Sequence, residues 1–160
     1  MKKKISFDYD EEAGLTIAQL RTSKGTFFGT SQKHPDDKFN SSEYIGSEIA
    51  EARAYINFIN DKIYDKKNEL KGLKRLLCAM PPETPGRNYA EHLYKAISFE
   101  ISDLEEDKQF YKSKINQVIE ARKIYIRSRS ATKEEKEKMR AAVAEGFKTI
   151  SQVKTAKEEE

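Results

Sequence analysis

The chain is 160 residues long, 36 % of them charged and 37 % apolar, and thirty basic side chains nearly cancel twenty-seven acidic ones to leave a formal charge of +3. That length suits one ordinary domain, that polarity suits long solvated helices better than a compact α/β enzyme, and the balanced charge argues against a duplex nucleic-acid binder. Cys78 is the only cysteine, no apolar run approaches membrane-spanning length, and the basic start "MKKK" leads into alternation instead of an apolar h-region, so a cytoplasmic protein without a disulfide or a membrane partner is expected.

The segment "ISFDY" at residues 5–9 alternates apolar Ile5, Phe7 and Tyr9 with polar Ser6 and Asp8, the period-2 pattern of a half-buried strand. "DEEAG" breaks it, "LTIAQL" at residues 15–20 reads as a second strand, and after "TSKG" the run "TFFGTS" at residues 26–31 reads as a third. Three strands in succession, within residues 1–33, predict a small antiparallel meander that needs a helical cover on one face.

The first long helix is predicted over residues 47–79, starting after Gly46, with Ile49, Ala52, Ile56, Ile59, Ile63, Leu70, Leu73, Leu77 and Met80 at intervals of three and four and Lys66 as the one polar residue at a seam position. "MPPETPGRN" then forces a reversal. A second long helix is predicted over residues 89–130, with Leu93, Ile97, Ile101, Leu104, Tyr111, Ile115, Val118 and Tyr125 on one stripe and Tyr94, Phe110, Ile119 and Ile126 off it. At 1.5 Å per residue each arm is about 50 Å long, so the two can fold back as an antiparallel hairpin, and the extra apolar row predicts a homo-oligomer. Thr132 and Glu135 stand at capping-box spacing before a shorter C-terminal helix at residues 132–152. The fold expected is thus α+β: a small N-terminal antiparallel β-meander packed on a long antiparallel α-helical hairpin, with a shorter C-terminal helix, in a single domain.

Nothing in the sequence has the spacing of a catalytic centre. His34, Asp36 and Asp37 lie in a Pro-containing loop without a second ligand one helical turn away, and the plainer reading is a strand-to-helix junction in which Ser47 helps cap the helix. Phosphate-loop, dinucleotide and nucleophile-elbow motifs are missing, Cys78 fits a packing role, and Glu105 and Glu106 fit helix ion pairs. A non-enzymatic protein with no cofactor and no metal is expected.

The positive signals are clusters of basic and aromatic residues. In "EARKIYIRSR", Arg122, Lys123, Arg127 and Arg129 lie close together with Tyr125 among them, a set that can fork onto phosphates and stack on a base, although basic residues also complement a helix C-terminus. In "PGRNY", Arg87, Asn88 and Tyr89 suit a small nucleotide, or else Asn88 caps the second helix. Arg53 in "AEARA" reads either as a ligand contact or as an internal partner, and Lys24, Gly25 and Thr26 form either an anion-binding turn or an ordinary hairpin.

Taken in order, "FDYDEEAGLTI", "GTFFGTSQKHPDDKF" and "IGSEIAEARA" opening a long helical hairpin resemble small phage proteins that antagonise the bacterial Thoeris system, the first-described Tad type of anti-Thoeris protein. The resemblance runs over residues 5–127, with its short motifs between residues 7 and 54. It implies a sponge that binds glycocyclic ADP-ribose without cleaving it in the host cytosol, a separate site for cyclic oligonucleotides, and assembly into oligomers such as hexamers. By position, "PGRNY" and "ARKIYIR" would supply the messenger site and "SKGT" the second one. Two other readings of the same residues are a phage scaffold or regulatory protein that binds a partner helix, and a weak binder of single-stranded nucleic acid.

Overall fold

A computed structural model of the chain describes residues 4–33 and 43–128, with backbone only at residue 43 and residues 125–128, together with the helical positions Glu137, Ala141, Ala144 and Glu145. Strands β1 (Lys4–Asp10), β2 (Leu15–Thr22) and β3 (Gly25–Gln32) are followed by helices α1 (Glu43–Ala79) and α2 (Pro85–Ser128). This is the α+β arrangement expected of the sequence. The chain divides into two compact units, Met1–Ile115 and Asn116–Glu160. The shorter C-terminal helix proposed for residues 132–152 lies outside the described residues except at those four helical positions, and His34, Asp36 and Asp37 lie outside them altogether.

In the first unit the sheet is antiparallel in the order β1-β2-β3. Gly14, at φ 60°, closes the first turn, where Asp10 accepts a hydrogen bond from the Ala13 amide at 3.0 Å. In the second turn Gly25 takes the positive φ of 148°, which spares Ser23 and Lys24 that strain. Pairing aligns three rows across the helix-facing side: Ile5, Leu20, Phe27; then Phe7, Ala18, Gly29; then Tyr9, Thr16, Ser31. Side chains therefore shrink from β1 to β3 in two of the three rows. The helix α1 packs against β3 and β2, over the small residues.

The approach is closest at Gly29, where an added Cβ would overlap the carbonyl oxygen of Ala50 and the amide nitrogen of Ala54. Ala18, Leu20, Ala50, Ala54 and Phe58 form the resulting core, with Ile5, Phe27 and Tyr55 against it, and Phe27 and Phe58 meet edge to face at 5.2 Å. Gly46 makes a similar approach to β2, since a Cβ there would stand 2.7 Å from Thr16 Oγ1. That contact explains why α1 begins at Glu43 and not at residue 47: Gly46 reads as a breaker in isolation, but the sheet stabilises a first turn that includes it.

The heptad stripe lies about half a turn around α1 from Ala50, Ala54 and Phe58. Ile49, Ala52, Ile59 and Ile63 of that stripe are buried, as are Ala90 and Ile97 of α2, and α1, packed on the sheet with one face, meets α2 on another through ion pairs and a tyrosine stack. Lys66, the polar seam residue, reaches Glu100 of α2 at 2.8 Å and Glu69 at 3.3 Å, and these bonds raise its pKa above the ordinary lysine value. Lys114 pairs with Glu48 at 2.6 Å, and Lys67 with Glu105 at 3.5 Å, in the reversed order an antiparallel hairpin requires. Tyr55 stacks on Tyr111 with centroids 4.9 Å apart and planes 5° from parallel. Burial pushes the Tyr111 phenol up to about 12, and the negative charges of Asp107 and Glu51 add to the shift. Tyr55 is raised by burial and Glu51, with Lys114 opposing.

Replacing Gly29 with Ala is expected to destabilise the first unit by about 3 kcal/mol, because backbone atoms of α1 cannot rotate away from the new methyl, and a lowered denaturant midpoint at unchanged m-value is the measurement. In alkaline titration followed by tyrosinate absorbance, Tyr111 should ionise near pH 12, and Tyr111→Phe should remove that step. Since the folded pKa lies above the unfolded value of ~10, the contribution of Tyr111 to stability is constant below pH 10 and is lost as pH rises toward 12; a Tyr111→Phe variant that loses stability as steeply over that window would contradict this.

Candidate functional site

The cations singled out in the sequence divide by what they touch. Arg87 stands in the first turn of α2 and its Nη1 donates to the carbonyls of Leu77 at 3.2 Å and Met80 at 3.0 Å, while its Nε donates to Glu91 at 3.0 Å. The last turn of α1 contains no basic residue of its own. Arg87 therefore supplies from the second helix the positive charge and the donors that the C-terminal carbonyls of the first helix lack.

The local start of α2 places it there. Thr84 is the N-cap: its Oγ1 accepts from the Arg87 amide at 3.4 Å and its carbonyl accepts from the Asn88 amide at 3.0 Å. Pro85 follows at the first helical position, where its missing N–H and fixed φ are favourable. The helix thus begins four residues before Tyr89, and Asn88 is in its first turn instead of capping it. Tyr89 points outward and is largely exposed, as is Asn88.

Arg53 donates from Nη1 to the Thr30 carbonyl at 2.5 Å, and Asn57, one helical turn later, donates to the Phe28 carbonyl at 2.8 Å. Four residues of helix rise about 6 Å and two residues of strand about 6.6 Å, so side chains at i and i+4 of α1 match alternate carbonyls of β3. Lys24 continues the same antiparallel register. It pairs with Asp65, hydrogen-bonded, and with Asp61 at 3.7 Å, and the bond to Asp65 raises its pKa. The turn it occupies is held by Thr22 Oγ1, which accepts from the Lys24 amide at 3.2 Å and donates to the Gly25 carbonyl at 3.1 Å. Thr26 is exposed on the outer face of β3.

In the second unit, the last turns of α2 carry Arg122, which is half-buried, and Lys123, which is exposed and paired with Glu120 at 2.7 Å. Tyr125 and Arg127 continue the same helix; their side chains lie outside the described residues, as does Arg129. On the backbone, Lys123 and Arg127 share one face and Arg122 and Tyr125 the adjoining one. Between residues 116 and 128 three basic residues accompany one acid, so this end of the helix is a local positive patch in a chain that is nearly neutral.

The apolar surface left open on the hairpin differs from the row expected of the sequence. Tyr94 and Phe110 are half-buried, whereas Phe99 is 72 % and Tyr89 71 % exposed, with Leu76, Leu93 and Tyr64 also open. Cys78 is exposed, not buried among packing residues, and it lies well beyond Asp65, where the sheet meets α1 through Lys24. Among the described residues, no group of three His, Cys, Asp or Glu side chains is placed to hold a metal ion, and no helix is long and apolar enough to cross a membrane. No family model matches the chain, and neither a curated protein nor a solved structure matches it.

Arg87→Ala should lower stability by about 1–2 kcal/mol through loss of the α1 cap. Arg87→Lys, which keeps the charge but not the forked geometry, should recover only part of it; equal midpoints for wild type and Arg87→Ala in urea would remove this residue from the capping role.

Proposed function

We propose that this chain is a phage anti-defence protein that binds and holds a cyclic nucleotide messenger, glycocyclic ADP-ribose, without cleaving it. The observation that carries the reading is the concentration of Arg122, Lys123, Tyr125 and Arg127 within six residues at the end of α2, in the segment that the resemblance to anti-Thoeris proteins assigns to the messenger. Guanidinium forks and an ammonium neutralise a pyrophosphate, and an aromatic ring stacks on the base. The pairing of Lys123 with Glu120 is a solvent-exposed contact of small energy, which a phosphate can displace.

The remaining candidates enter with different weights. Arg87, Arg53 and Lys24 each have intramolecular partners that account for their positions. Their loss would act on stability first. The strings that carry the resemblance are the same residues that build the contact between sheet and helix: "FDYDEEAGLTI" makes β1, its turn and β2, "GTFFGTSQ" makes β3, and "IGSEIAEARA" opens α1 with Gly46, Ala50 and Ala54. A cyclic oligonucleotide at the "SKGT" turn is a secondary part of the reading; it requires a ligand that competes with Asp61 and Asp65 for Lys24.

Sequestration depends on slow release and not on transition-state stabilisation, so binding is the test. Calorimetric titration with glycocyclic ADP-ribose should show saturable binding, and chromatography of the heat-released ligand should recover it unchanged. Arg122→Ala and Arg127→Ala should each weaken binding roughly 10- to 100-fold, the range for a charge-assisted hydrogen bond, while Arg87→Ala lowers stability and leaves affinity within about threefold. Absence of heat from a folded sample, or recovery of a cleaved product, would sink the reading. Preference for single-stranded oligonucleotides with a steep salt dependence would move it to nucleic-acid binding.

A further inference from the structure

The inner face of the sheet is not fully covered. Residues Ile5, Phe7 and Tyr9 of β1 point to the same side as the buried Leu20, Ala18 and Thr16 opposite them, yet Phe7 is 41 % and Tyr9 38 % exposed because α1 lies over β2 and β3. Among the described residues, no polar side chain is seen to cover the outer edge of β1. On the other edge, Arg53 and Asn57 occupy two carbonyls of β3. An apolar row on an uncovered edge is a template for another strand.

The sequence of β1, Lys-Ile-Ser-Phe-Asp-Tyr-Asp, says which strand. Laid antiparallel on a copy of itself and centred on Phe7, it sets Lys4 opposite Asp10, Ile5 opposite Tyr9, Ser6 opposite Asp8 and Phe7 opposite Phe7. Apolar meets apolar on the helix side, and opposite charges meet on the outer side, with no like charges facing. A twofold axis perpendicular to the sheet keeps both α1 helices on one side, where their position over β2 and β3 leaves the seam free. Asp8 already accepts from Gln19 at 2.5 Å and needs no further partner, and Asp10 uses one carboxylate oxygen for the Ala13 amide, which leaves the other for Lys4 of the copy. We infer that β1 is a homodimer interface, joining two copies of this chain through Phe7-centred antiparallel pairing into one continuous six-stranded sheet. This inference does not depend on what ligand the protein binds.

The test uses the full chain with Cys78→Ser to remove the native thiol. Directly opposed residues of an antiparallel pair have Cα atoms about 4.5–5.5 Å apart, inside disulfide range, so Phe7→Cys should cross-link to a covalent dimer under mild oxidation at micromolar concentration. Ser6→Cys, which would face Asp8, should not. Without cysteines, sedimentation should show Lys4→Asp and Asp10→Lys each weakening the dimer roughly tenfold through two repelling pairs, and the exchange Lys4→Asp with Asp10→Lys restoring it. Lys4 has no role in the turn, so its variant remains informative if Asp10→Lys disturbs folding. A monomeric wild type, cross-linking at residue 6 and not at residue 7, or single charge variants that leave the association unchanged would overturn the inference.

Discussion

The structure of the first unit depends on one close approach, that of the β3 backbone at Gly29 to the α1 backbone between Ala50 and Ala54. Sheet and helix normally stand apart by the length of interleaved side chains. Here three small residues, Ala18, Ala50 and Ala54, and one glycine let the backbones themselves touch. Leu20 and Phe27 at one end then close over Phe58, and Thr16 meets Gly46 near the other. Dispersion between well-fitted small groups and the exclusion of water from Leu20 replace the bulk that a larger aliphatic core would supply.

That proximity has electrostatic consequences along the strand. With β3 running antiparallel to α1 at short range, Arg53 and Asn57 reach carbonyls that would face water, and Asp61 and Asp65 reach the ammonium of Lys24. The same logic recurs at the hairpin turn, where Arg87 satisfies the end of α1. Three of the cations that stood out in the sequence thus have a bonding role in the fold. Each is at least partly open to water, so their pairs contribute geometry and register more than large energies. The cations at the end of α2 differ in being concentrated within six residues of the sequence, and there too Lys123 pairs with Glu120.

Much of the architecture was legible in the residues because the relevant signals are local. Alternation in "ISFDY" and "LTIAQL" marks strands, and spacing of three and four from Ile49 to Met80 marks a helix seam; the structure adds that Lys66, the odd polar member of that seam, bonds Glu100 of the facing helix. Where the reading slipped, a tertiary contact overrode a local rule. Gly46 lies inside a helix because Thr16 packs against it, and Cys78 is exposed because the sheet ends before it along α1, whereas at Pro85 the missed signal was itself local, a Thr84 cap on a helix that the proline begins. The roles of Arg53, Lys24 and Arg87 were ambiguous in sequence, since a basic residue looks the same whether it meets a phosphate or a carbonyl.

By itself the sequence determined the type and order of the three strands and the two long helices and the antiparallel return of the second helix, because periodicity and turn chemistry act within a few residues of the chain. Only the tertiary structure decided which small residues serve as a seat for the helix, which cations bond to their own backbone, and that Phe7 and Tyr9 are left at an open edge. Those outcomes depend on distances between segments tens of residues apart, such as Thr30 and Arg53 or Lys24 and Asp65, which no local pattern encodes.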